Sequence, residues 1–107
     1  MNIEGGVDML NITRKGEGTK LEFALEGRLD TVTAPDLEKV LNESLSGVEE
    51  LVLDFSGLEY ISSAGLRVLL SAQKIMNRQG KMAVKHVNET IMEIFEVTGF
   101  SDILTIE

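Results

Sequence analysis

An α/β fold, with a mostly parallel sheet and an antiparallel edge hairpin, follows from three features of this 107-residue sequence. Two strand-like segments come first, joined by "KGEGTK", whose glycines suit a hairpin loop. Strand- and helix-periodic segments then alternate, giving the order β-β-α-β-α-β-α-β and implying parallel pairing through crossovers with packed helices. The third strand-like segment, "ELVLDF", is a nearly continuous apolar run, as expected of a central strand covered on both faces.

Residues 9–14 and 20–29 read as the opening strands. In the second, Leu21, Phe23, Leu25 and Leu29 mark one face, with Glu22, Glu26 and Arg28 on the other. "DTVTAPDLEKVLNESLSG" reads as a capped helix. Thr33 precedes Pro35 in its first turn, Asp36 suits the positive end of the dipole, and Gly47 ends it. Leu37, Val40, Leu41 and Leu45 share one face of that helix. After the apolar strand, a second helix is expected from Gly65 to Gln79, stopped by Gly80. Positions 65, 68, 69, 72, 75 and 76 are apolar or glycine, while Arg67, Ser71, Lys74 and Arg78 line the opposite face. "KMAVKHV" is a short strand, and Asn88 can cap a third helix through Thr98. Ile91, Ile94, Phe95 and Thr98 point inward there, Gly99 ends the helix, and "DILTI" is the final strand. No repeat, low-complexity stretch or linker interrupts residues 1–107, and the length suits one domain.

Composition narrows the function. With no cysteine, neither disulfides nor thiolate chemistry is open to the chain, and a reducing cytoplasm is the simpler home. "MNIEGGVDML" has neither the basic nor the apolar region of a signal peptide, and no apolar run approaches the roughly 20 residues of a membrane span. A net charge of −8 argues against nucleic acid as the main partner. The charge is unevenly spread. Residues 60–88 contain no Asp or Glu but hold Arg67, Lys74, Arg78, Lys81 and Lys85, half of the ten basic residues.

That positive segment opens at "YISSAGL", where the chain leaves a buried strand through Ile61 and enters a helix near Ala64. Ser62 or Ser63 takes the N-cap, and the N–H groups of Ala64, Gly65 and Leu66 are expected to point unpaired toward the junction. Such an N-terminus stabilises negative charge through directed donors and the macrodipole. Gly65 removes a side chain from the first turn, which would let another molecule approach. Plain helix capping competes with this reading. The second serine and the adjacent glycine favour a site that receives charge.

Other chemistries fit less well. A serine hydrolase needs a glycine two residues before its nucleophile, where this stretch has Tyr60 or Ile61, and the only histidine, His86, lies on a short strand. Asp30 and Asp54 show no metal-ligand spacing, and no metal or other cofactor is expected. Asp54 instead reads as a strand-end residue supporting the loop before Ser63, and Asp30 as part of the turn into the first helix. Arg67, Lys74 and Arg78 form either a solvated face or a docking stripe for an acidic partner. Leu66 and Leu70 flank that stripe, and core and contact roles are equally open to them.

"LVLDFSGLEYISSAGLRVLLSAQK" resembles the signature of STAS domains, particularly the bacterial anti-sigma factor antagonists. "EGRLDTVTAPDLEKVL" and "IFEVTGFSDILTI" are similar to the family's second strand with first helix and its third helix with last strand. The resemblance covers nearly the whole chain. It places Ser63 on the family's phosphorylated serine, with Asp54, Ser62, Ala64 and Gly65 supporting it. Ser62 stands where many members have aspartate and Ala64 where many have a second Ser or Thr. Many relatives continue past Glu107 into a terminal helix, which is expected to be absent here. The resemblance implies a non-enzymatic partner switch. The unphosphorylated protein binds an anti-sigma factor, which is also a serine kinase, and a PP2C-type phosphatase resets the modified form. Asp30, Leu66, Arg67, Leu70 and Lys74 are the expected partner-binding residues, on a monomer or weak dimer. A non-switching STAS scaffold or regulatory module is the alternative from another class.

Overall fold

The computed structural model describes residues 9–107. Strands β1 (Leu10–Glu17) and β2 (Lys20–Leu29) pair antiparallel, with Glu17 opposite Lys20, so only Gly18 and Thr19 remain for the turn. The positive φ of Gly18 (72°) permits this tight link, and β1 runs three residues further than its sequence pattern suggests. β2 lies parallel to β3 (Glu50–Ile61), and β3 parallel to β4 (Lys81–Lys85), in the spatial order β1-β2-β3-β4. Helix α1 (Ala34–Ser44) connects β2 to β3, α2 (Ser63–Gln79) connects β3 to β4, and α3 (Glu89–Thr98) follows β4.

Each crossover moves one strand onward in the same direction. Right-handed connections that all step one way place their helices on one side of the sheet. Accordingly Leu21, Phe23, Leu25, Leu51, Leu53, Phe55, Met82 and Val84 are buried, packed with Leu37, Leu41, Leu69, Met76, Ile91 and Phe95 from the helices. The rings of Phe55 and Phe95 stand 6.4 Å apart at a 44° tilt. The alternate strand residues Glu22, Ala24, Val52 and Ala83 are only half-buried. The expectation that β3 is covered on both faces is therefore corrected: Val52 lies on the face away from the described helices.

Further corrections concern the ends of elements. α1 stops at Ser44 rather than at Gly47, and the Leu45 N–H closes its last turn on the Leu41 carbonyl (3.0 Å). The Gln79 amide then donates to the carbonyls of Leu45 and Val48 (2.6 Å each), fastening this connection to α2. Asn88 caps α3 as expected, accepting from the Ile91 N–H (2.8 Å). Thr98 is exposed, not inward, and its hydroxyl donates back to the Ile94 carbonyl (2.7 Å). The final strand shrinks to a bridge between Val84 and Ile106. A 3₁₀ turn over Phe100–Asp102 takes up the chain after Gly99, so too little remains to run alongside β4.

Candidate functional site

The carboxyl ends of β2 and β3 lie side by side, with Leu29 opposite Ile61, and open sheets place their sites at such ends. The Ser62 N–H donates to the Leu29 carbonyl (2.9 Å), which ties the start of α2 to the turn into α1.

On the β2 side Asp30 builds that turn. Its Oδ1 accepts from the N–H groups of Val32 (3.0 Å) and Thr33 (3.1 Å), and lies 3.2 Å from the Thr33 hydroxyl. That hydroxyl donates to the Arg28 carbonyl (2.8 Å) and accepts from the Asp30 N–H (2.9 Å). Thr33 is thus the N-cap residue of α1, but its side chain serves the turn rather than the helix amides. The Arg28 guanidinium lies 4.6 Å from the Tyr60 ring centre and 3.8 Å from Asp30 Oδ2, so both strand ends share one polar cluster. Val32, 70% exposed, protrudes from the same turn.

On the β3 side Ser62 is the N-cap of α2, in extended backbone geometry (φ −101°, ψ 177°), and Ser63 is the first helical residue. Their side chains differ. Ser63 is exposed, whereas the Ser62 hydroxyl is buried without a hydrogen-bond partner and makes no cap bond. The Leu66 N–H donates to the Ser62 carbonyl (2.9 Å), so the free donors of the first turn are those of Ser63, Ala64 and Gly65 rather than one including Leu66. No acidic residue stands in that turn. A shallow groove between the starts of α1 and α2 is lined by Thr31, Ala34, Glu38, Ala64 and Arg67 among others.

Gly65 plays a different part from the one expected. It is buried, and a Cβ there would stand 2.7 Å from Leu29 Cγ and 2.8 Å from Ile61 Cγ1. The glycine lets α2 press onto its own strands; it opens no path for another molecule. Leu66 also belongs to the core, at 6% exposure, while Leu70 is half-buried. Arg67, Ser71, Lys74 and Arg78 form an exposed ridge that begins one turn beyond Ser63.

Asp54 does not support the serine junction. It lies within β3, opposite Ala24 and Lys85, and the remaining strand residues separate it from Ser62, about 26 Å of extended chain. Its Oδ1 accepts from the Ser56 N–H (2.9 Å) and pairs with His86 Nδ1 (2.9 Å). The bond to His86 first, and those to Ser56 next, hold the Asp54 carboxyl below its ordinary range, against the opposing effect of burial. His86 is the one described non-glycine residue with positive φ (61°). The sequence pattern places a lone histidine on a short strand, but β4 ends at Lys85 and His86 follows it; only the fold brings it to Asp54, 32 residues away. Among the described residues no group of three or more His, Cys, Asp or Glu is arranged to hold a metal, and no helix is long and apolar enough to cross a membrane.

Comparison with known proteins adds family context. The model of the STAS domain family matches residues 11–107. BtrV of Bordetella bronchiseptica is 37% identical over 84 residues, covering 77% of this chain and 72% of its own. The anti-sigma-B factor antagonist of Staphylococcus aureus is 29% identical over 97 residues, covering 89% and 90%. The crystal structure of an anti-sigma factor antagonist from Mycobacterium paratuberculosis superposes with a TM-score of 0.83 at 21% identity, over 92% of this chain and 86% of that one.

Proposed function

This chain belongs to the STAS domain family, and from that premise we propose that it is a cytoplasmic, non-enzymatic anti-sigma factor antagonist that works by partner switching. The name of the S. aureus relative supports the first half of this reading. The observation that carries the second half is an exposed Ser63 at an α2 N-terminus whose first-turn amides have no side-chain cap.

In the unmodified state the surface around Asp30, Val32, Ser63, Arg67, Leu70 and Lys74 docks an anti-sigma factor, which frees its sigma factor. Leu66 contributes from within, by fixing α2 on the sheet. The anti-sigma factor is also a serine kinase. It transfers the γ-phosphoryl group of ATP to Ser63: the Oγ–P bond forms, the bond to ADP breaks, and the hydroxyl proton leaves to a base on the kinase. A PP2C-type phosphatase hydrolyses the ester and restores the serine.

The switch rests on an asymmetry in where the new charge sits. Phosphate brings about −1.5 to −2 charges. At the start of α2 in the free protein, amide donors and the helix dipole accept it. Inside a complex it must shed water. If that costs only about 3 kcal/mol, affinity falls roughly a hundredfold.

Affinity capture from the native cell lysate, with Ser63→Ala and Ser63→Asp proteins as baits, tests the reading. The alanine bait should retain a serine kinase with its bound nucleotide, and the aspartate bait should lose it. Incubating that kinase with ATP and the unsubstituted protein should place phosphate on the peptide containing Ser63. Equal retention by both baits, with no phosphate on that peptide, would favour a non-switching scaffold.

A further inference from the structure

Ser63 and Arg67 are both exposed and stand one helical turn apart on the same face of α2. Residues at this spacing have Cβ atoms about 5–6 Å apart, and an anion placed N-terminal to a cation is the favourable order. Arg67 enters no ion pair among the described residues, which include 16 of the chain's 18 acidic side chains. Glu38 lines the same groove and still makes no ion pair with it. No acidic residue occupies the first turn of α2 to compete. Among the described residues the guanidinium is therefore uncommitted, and it presents a planar fork of donors suited to phosphate oxygens.

We propose that Arg67 pairs with the phosphate of phosphorylated Ser63 within the same molecule. This deepens the reading of Ser63 as phosphoacceptor and rests on it. Phosphorylation then has two effects on one surface. It adds a hydrated dianion, and it withdraws from the ridge the cation nearest the junction, leaving Lys74 and Arg78 as the charges open to an acidic partner. The pairing also gives the modified state a stabilising contact that the unmodified state lacks.

The test installs phosphoserine at position 63 by genetic code expansion, so that it needs no kinase. Phosphorus NMR then follows the titration of that phosphate in the otherwise native protein, in Arg67→Ala and in Arg67→Lys. With Arg67 present, the second ionisation should fall about 0.3–0.7 unit below that of Arg67→Ala, in line with a helical i,i+4 ion pair strengthened by the doubled charge. Arg67→Lys should recover part of the shift, and about 1 M salt should shrink it. Identical titration in Arg67 and Arg67→Ala proteins overturns the pairing. A shifted titration beside a Ser63 peptide that no captured kinase modifies would leave the pairing standing and remove the phosphoacceptor reading; the reverse result would remove the pairing alone.

Discussion

Gly65 is required by packing. Because Leu29 and Ile61 fill the space beside it, a methyl group must displace two buried side chains at the ends of β2 and β3. Overpacking of this kind costs about 1–3 kcal/mol. Gly65→Ala should therefore lower Tm by several degrees in a thermal melt, and an unchanged melt would contradict the close packing of α2 on these strands. The two serines show how adjacent residues of one type divide their tasks. Ser62 takes the cap geometry and has its hydroxyl buried, while Ser63, one step further round the helix, is exposed. Sequence alone left the N-cap open between them. Their difference depends on which side of the helix start faces Leu29, and local propensity carries no information about that.

The connection from β4 to α3 is pinned twice to β3. His86 reaches Asp54, and the Asn88 amide donates to the Leu58 carbonyl (3.0 Å) while its oxygen caps α3. His86 holds a left-handed backbone conformation that side chains other than glycine rarely adopt, and the bond to Asp54 helps maintain it. Because the folded state lowers the Asp54 pKa, the stability this carboxylate contributes is present above its ordinary value and fades as pH falls through the lowered one. In His86→Ala the leading cause of that lowering disappears. Acid unfolding followed by circular dichroism should then begin at higher pH than in the native sequence. Superimposable acid limbs would show that Asp54 owes little to His86. No periodicity announces such a pair, since Asp54 lies within β3 and His86 just past the end of β4, 32 positions away.

Across the molecule, stability should track how continuous the strand ladders are. β2 and β3 pair over nearly their full lengths, whereas Thr105–Glu107 join β4 by the Val84–Ile106 bridge with its two backbone bonds, Val84 N–H to Thr105 and Glu107 N–H to Val84. In native-state hydrogen exchange the Glu107 amide should exchange at least about tenfold faster than the amides of Phe23 and Leu53. Equal protection would mean that the C-terminal segment folds as part of the central sheet. The same arrangement positions the proposed docking surface. Crossovers that step in one direction gather the helices on one face, and α1 and α2 begin side by side at the carboxyl edge, beside Ser63.

Element identity and order were legible from residue patterns, because hydrophobic periodicity, caps and helix-ending glycines act over a few residues. Asn88, Gly99, the inward face of α2 and the extent of β2 were all readable in this way. So was Ser63 as the candidate residue, because the "SSAGL" stretch itself resembles a family motif. Long-range placement was not. The open face beside Val52, the reduced last strand, the inward-facing Gly65, the buried Leu66 and the bond between Asp54 and His86 depend on which strand lies next to which and on which side the helices pass. Those outcomes arise from packing and crossover handedness among distant segments, and neither is encoded in any local window of the chain.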